Sequence, residues 1–206
     1  MLPPPSGVWG MPENILTKAP GYGEPAADVT KAQAMMKAAG YGPDNRLAVK
    51  VSTRNIAIYR DPAVILIDQL KAIYIDAELE VVETSNWHAK VARKDYQVGL
   101  NLTGVGVDDP DVNFFENYAC GSQRNYTGYC EQEMMDLFKK QSMMTDQAAR
   151  KRLVWEIDSR LQGDVARPMI DHRVGATCTQ PRVQGFVQMV NSSYNGWRFE
   201  DVWLKK

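Results

Sequence analysis

The chain has 206 residues, 44% of them hydrophobic, with 24 Lys and Arg against 25 Asp and Glu. That length and apolar content allow a real core in one domain or a compact pair, while a net charge of −1 excludes the electrostatic footprint of a nucleic-acid or anionic-membrane binder. No stretch approaches the roughly 20 consecutive apolar residues of a spanning helix.

Residues 1–27 hold six of the 11 prolines and read as a linker or extended arm, ahead of an α/β region over residues 28–206. The opening MLPPPSGVWGMP lacks the charged start and continuous apolar run of a secretion signal. Asp28 ahead of Val29, Ala32, Met35, Met36 and Ala39 predicts an N-capped helix stopped by Gly40. Leu47, Val49 and Val51 alternate with Ala48, Lys50 and Ser52, which predicts a strand ending at Thr53 and Arg54. Asp61-Pro62 reads as the cap and first turn of the next helix, with Val64, Ile65, Leu66, Ile67, Leu70 and Ile73 buried. Leu79, Val81 and Val82 give a second strand, and Thr84-Ser85-Asn86 caps a short helix carrying Trp87 and His88. Tyr96, Val98, Leu100 and Leu102 alternate with Gln97, Gly99 and Asn101, the period of a third strand with one buried face. Strands alternating with helices predict βαβ units and a parallel or mixed sheet.

The third strand empties into a long irregular segment containing Gly104, Gly106 and Pro110, an acidic cluster of Asp108, Asp109 and Asp111, and the aromatic residues Phe114, Phe115 and Tyr118. Loops at strand ends are where such folds place binding groups. Cys120 and Cys130 would let a disulfide hold a small polar loop, although with Cys178 present three single pairings are open. Beyond them, Met134, Leu137 and Phe138 mark one helical face, and Asp146 starts a helix with Leu153, Val154, Ile157 and Leu161 inward. Met169, Ile170, His172 and Val174 read as a last strand.

Catalytic and metal constellations are thin. His88 and His172 belong to no metal-ligand spacing, and Cys178 is a lone thiol of the kind usually buried as a small hydrophobe. Gly104-Val105-Gly106 lacks the third glycine of a dinucleotide fingerprint, and Asp108 and Asp109 stand where phosphate would have to be cradled. The three aspartates have no EF-hand spacing, so neither a metal nor a cofactor is expected. The two glycines either admit a ligand close to the backbone or simply make the turn.

Asp109-Pro110-Asp111, Asn113-Phe114-Phe115, Cys120, Asn125-Tyr126 and Cys130, following a strand and a Gly-containing turn, resemble the family 5 solute-binding proteins. These are extracytoplasmic receptors of ABC importers for dipeptides, oligopeptides, nickel and related solutes. Lys31 to Tyr41, the helix carrying Arg150, Arg152 and Trp155, and the turn and strand Pro181 to Phe186 are also similar to that family. The resemblance implies a periplasmic-binding-protein-like lobe with a mixed or parallel sheet flanked by helices, forming the C-terminal part of a longer exported receptor whose signal and first lobe precede Met1. It implies a periplasmic location, a Cys120–Cys130 disulfide, no catalysis, and partners of three kinds: a small-molecule solute, ABC transporter membrane subunits, and the missing N-terminal lobe, with self-association expected of an isolated lobe.

A receptor that closes two lobes over its solute needs polar groups at loop tips and aromatic walls. The expected ligand-binding residues are Arg54, Tyr59, Trp87, Asn101, Thr103, Gly104, Gly106 and Asp108. Dipeptide- and oligopeptide-binding members hold the ligand's α-ammonium with an Asp shortly before Asp-Pro-Asp, whereas here that place falls on Gly106 or Val105. Weak or no binding of ordinary dipeptides is therefore expected unless Asp108 substitutes. Two rival readings remain at this stage: a ligand-sensing domain of a transcriptional or signalling receptor, and a small α/β hydrolase using His172, Cys178 or the aspartates.

Overall fold

The structure, a computed structural model, describes residues 2, 7–19, 21–173, 175–193, 195 and 198–206. The chain divides into two compact units, one comprising Met1–Ala19, Gly104–Asn125 and Tyr129–Lys206, and the other Pro20–Thr103 with Tyr126–Gly128.

The second unit is a three-stranded parallel sheet with helices. Its elements in order are α2 (Pro25–Ala38), β1 (Leu47–Arg54), α3 (Ala57–Leu70), β2 (Ile75–Val82), α4 (Thr84–Ala92) and β3 (Val98–Gly99). The strand order is β2-β1-β3, with Leu47 opposite Ile75 through Arg54 opposite Val82, and Val51 opposite Val98. Period-2 alternation sends Val51, Ala77, Leu79 and Val98 to one face, where Ala63, Leu66, Ile67 and Leu70 of α3 cover them. On the opposite face Glu80 accepts hydrogen bonds from Ser52 of β1 and Lys90 of α4, which pins α4 there.

Several local expectations change. Helix α2 begins at Pro25 with Glu24 at its cap position, not at Asp28, because proline is pre-organised for the first helical residue. Helix α3 begins at Ala57, so Pro62 lies inside it and Asp61 is no cap. The added turn is closed by Tyr59 and Arg60 amides donating to the Ile56 carbonyl. Val64 and Ile65 are exposed, since only one face of this helix meets the sheet. Strand β3 is two residues long, extended by the Leu100 amide donating to Ser52 O at 3.0 Å.

The first unit contains α1 (Glu13–Leu16), α5 (Pro110–Tyr118), α6 (Gln132–Ser142), α7 (Gln147–Gly163) and a two-stranded antiparallel pair, β4 (Val183–Gln184) with β5 (Trp203–Leu204). Its core joins Phe114, Tyr118, Met134, Phe138, Val154, Ile157 and Leu161. Phe114 stacks on Phe138 with centroids 5.1 Å apart, and Phe115 meets Phe138 edge-on at 5.9 Å. The Pro-rich opening contributes Leu2 and Trp9 to this core. The stretch expected to be irregular after β3 contains α5, started by Asp109, whose side chain accepts from the Asp111 amide, and by Pro110 in the first turn. Residues 169–173 form no ladder with any described residue, and Met169 and Ile170 are exposed, so the expected strand is absent there; Val174 lies outside the described residues. Gly185 has φ +74, and a Cβ there would fall 2.0 Å from Asp201 O, so the β4–β5 pairing requires glycine.

Arg150 connects these helices. Its guanidinium donates to both carboxylate oxygens of Asp109 (3.0 and 2.8 Å) and to Gln141 Oε1 (3.0 Å), and it lies over the Trp9 ring at 4.6 Å. Arg150→Ala leaves Asp109 and Gln141 short of partners and removes the stack on Trp9, and is expected to cost about 2–3 kcal/mol. Urea unfolding followed by tryptophan fluorescence measures it; a loss no larger than that of the exposed control Arg152→Ala refutes the assignment.

Candidate functional site

In the parallel unit, β1 connects to β2 through α3 on one face, and β2 connects to β3 through α4 on the other. The chain runs outward from the central β1 to β2 and then back across β1 to β3, so the switch of direction lies between β1 and β3. Beyond the carboxyl ends of strands at such a switch is where open α/β sheets bind ligands. Arg54, Asn55 and Ile56 follow β1 at that end, Tyr59 stands in the first turn of α3, and Leu100 to Thr103 follow β3.

Arg54 is half-buried and oriented by its neighbour. Its Nη1 donates to the Tyr59 hydroxyl at 2.9 Å, and the guanidinium lies 4.8 Å from the Tyr59 ring centroid. Its Nε is buried without a hydrogen-bond partner among the described residues, as is Thr53 Oγ1 beside it in the chain, and no described carboxylate pairs with it. Asn101 and Thr103 are exposed. Trp87 is fully buried and acts as core between α4 and the sheet, not as an accessible wall. A separate groove of about 370 Å³ includes Lys50, Asp76, Glu78 and Gln97 at the other end of the strands. There Lys50 stands opposite Glu78 in register, so the groove's charges oppose one another across the sheet.

The remaining expected site residues lie in the helical unit. Asp108 accepts from the Val8 amide (3.3 Å) and from Asn191 Nδ2 (3.0 Å), and its carbonyl accepts from Trp9 Nε1 (2.8 Å). The Ser193 amide donates to Val105 O at 2.7 Å, and Ser192 Oγ donates to Gly106 O at 2.6 Å. A Cβ on Gly104 would lie 2.1 Å from Ser193 Oγ, whereas one on Gly106 would meet nothing within 4 Å. Gly104 thus admits the chain's own Ser193. This clamp from residues about 85 to 100 positions away had no signal in the sequence.

Asp111 is held by Gln141, Ser142 and Arg150. The Cys120–Cys130 disulfide is formed, and inside its loop the buried Asn125 donates to Ala119 O (3.0 Å) and Tyr129 O (2.6 Å). Cys178 is an exposed thiol. His172 is half-buried, and burial lowers its pKa, against an opposing pull from Asp158. Among the described residues no group of three or more His, Cys, Asp or Glu is arranged to hold a metal, and no helix is long and apolar enough to cross a membrane.

The family described as "Bacterial extracellular solute-binding proteins, family 5 Middle" matches residues 3–125. Among solved structures, Haemophilus influenzae OppA in complex with RPPGFSPFR is similar at TM-score 0.73 and 20% identity, over 92% of this chain and 39% of that one. Helicobacter pylori DppA in complex with the peptide STSA is similar at 0.67 and 21%, over 86% and 34%. The oligopeptide-binding protein AppA of Bacillus subtilis, in complex with a nonapeptide, is similar at 0.66 and 16%, over 96% and 40%. This chain therefore spans between 34% and 40% of the length of these relatives, and the likeness establishes the fold. Among curated proteins no sequence matches it.

The pinning of α4 beside these strand ends depends on pH. The Ser52 hydroxyl, and then Lys90, hold the Glu80 pKa below its ordinary value despite partial desolvation. A lowered carboxylate pKa stabilises the fold above the unfolded value of about 4.3, and that contribution fades as pH falls through the lowered folded value. Wild type is expected to exceed Glu80→Gln in Tm at pH 7, with the gap closing toward pH 3; a gap that does not change between those pH values refutes the pinning.

Proposed function

Because the chain belongs to the family 5 bacterial extracellular solute-binding proteins, we propose that it supplies one wall of the cleft in which an ABC importer's receptor captures a small solute. The family and its solved relatives are binding proteins, and the parallel unit offers what binding requires: polar groups at strand ends, on a rigid sheet. The chain acts as the C-terminal lobe of a periplasmic receptor, with a second lobe closing over the solute and the importer's membrane subunits receiving it.

The observation that carries this reading is Arg54. A half-buried guanidinium with no carboxylate partner among the described residues suits an anionic acceptor. Its planar fork suits a carboxylate, and Tyr59 holds the fork in place. Asn101 and Thr103, after β3, supply neutral hydrogen-bonding groups on the other side of the switch point. Gly104, Gly106 and Asp108 serve in this reading as backbone and support of the following loop.

Screening the 206-residue chain against a panel of small carboxylates by 15N–1H NMR tests the proposal. Binders are expected to shift the amides of residues 54–59 and 99–103 and to weaken at least about tenfold in Arg54→Ala, the loss of one charge-assisted pair. Binders that leave those amides unmoved, or that bind Arg54→Ala equally well, refute it.

A further inference from the structure

We infer that the outer edge of β2 is a docking surface for an extended protein segment that alternates apolar side chains with Lys or Arg, taken up as a further strand of the parallel unit's sheet. Strand β2 stands at the end of the order β2-β1-β3 and is paired on one side only. The Leu47 amide donates to Tyr74 O and the Asn55 amide to Val82 O, which fixes the phase of the ladder. Asp76, Glu78, Glu80 and Val82 therefore turn their backbone groups toward β1, while Ile75, Ala77, Leu79 and Val81 turn theirs outward. Among the described residues no backbone group pairs with that outward row.

Natural sheets blunt such an edge by shortening it, or with a bulge, a proline or a lysine. Strand β2 has none of these: it runs for eight residues, IDAELEVV, and its register with β1 is unbroken from Ile75 to Val82. None of those residues is fully buried, whereas Val51, Ser52 and Thr53 of β1 are.

The side chains of β2 select the partner. On the face covered by α3, Ala77, Leu79 and the exposed Val81 make an apolar row. On the opposite face Asp76, Glu78 and Glu80 make an acidic one. Arg46 holds Asp76 at 2.7 Å and Lys90 of α4 lies 3.2 Å from Glu80. Lys50 of β1 stands opposite Glu78 in register, but among the described residues no cation lies within ion-pair distance of Glu78, which is exposed. A strand added outside β2 with basic side chains on this face would set cations beside that row, and opposite charges across neighbouring strands are stabilising.

The same row disfavours a second copy of this chain. In an antiparallel pairing of two β2 edges about a two-fold axis, outward-turned residues oppose outward-turned residues, so the acidic rows face each other. Like charges directly opposite are destabilising.

The test is a 15N–1H NMR titration of the 206-residue chain with acetyl-Lys-Val-Lys-Val-Lys-Val-amide and with its counterpart carrying Glu in place of Lys. Both peptides are capped, so neither offers Arg54 a terminal carboxylate. The basic peptide is expected to shift the amides of Ile75, Ala77, Leu79 and Val81 and to slow their hydrogen exchange, and to bind Glu78→Lys about fivefold more weakly. Glu78→Gln, which keeps the size of the side chain, is expected to lose about twofold and serves should the charge reversal disturb the sheet. Binding of the acidic peptide as tight as that of the basic one, or basic-peptide binding that leaves exchange at those four amides unchanged, overturns the inference. So does protection of the same amides that rises with protein concentration in the absence of peptide, because the edge is then taken by a second copy.

Discussion

The guanidinium of Arg150 is shared between a helix cap, a helix interior and an aromatic ring, and the helical unit depends on that sharing. Asp109 caps α5, yet its oxygens are also held by α7 through Arg150, while Gln141 brings α6 to the same point and Trp9 closes over the guanidinium. Each partner satisfies a group that would otherwise be costly to bury. The phenylalanine stack beneath it, Phe114 on Phe138, then has fixed helices on which to pack.

The acidic motif is likewise engaged within the helical unit. Asp-Pro-Asp looks like a binding loop in one dimension, because charges beside glycines at a strand end usually face solvent. In three dimensions the two aspartates are structural anchors, and Asp108 is tied to Val8 and Asn191.

The parallel unit works differently. Its strands end together, its two crossover helices lie on opposite faces, and the polar contact between Ser52, Glu80 and Lys90 keeps α4 in register with the sheet. Tyr59 orients Arg54 because α3 starts a turn before Asp61-Pro62. A proline inside a helix removes one amide donor but leaves the preceding turn possible, which is why the cap signal at Asp61 misled.

Alternation and spacing along the chain determined a great deal: β1 to its last residue, the third strand's buried face and the helix capped by Asp146. Those features rest on local periodicity and capping, which act between residues a few positions apart. The Met169 strand failed because a strand exists only beside a partner, and no local pattern supplies one. The burial of Trp87, the approach of Ser193 to Gly104 and the partners of Asp108 were likewise undetermined by the residues alone. Tertiary structure decided them, because burial and hydrogen-bond partnership depend on segments as much as 100 positions distant, brought together only when the cores close.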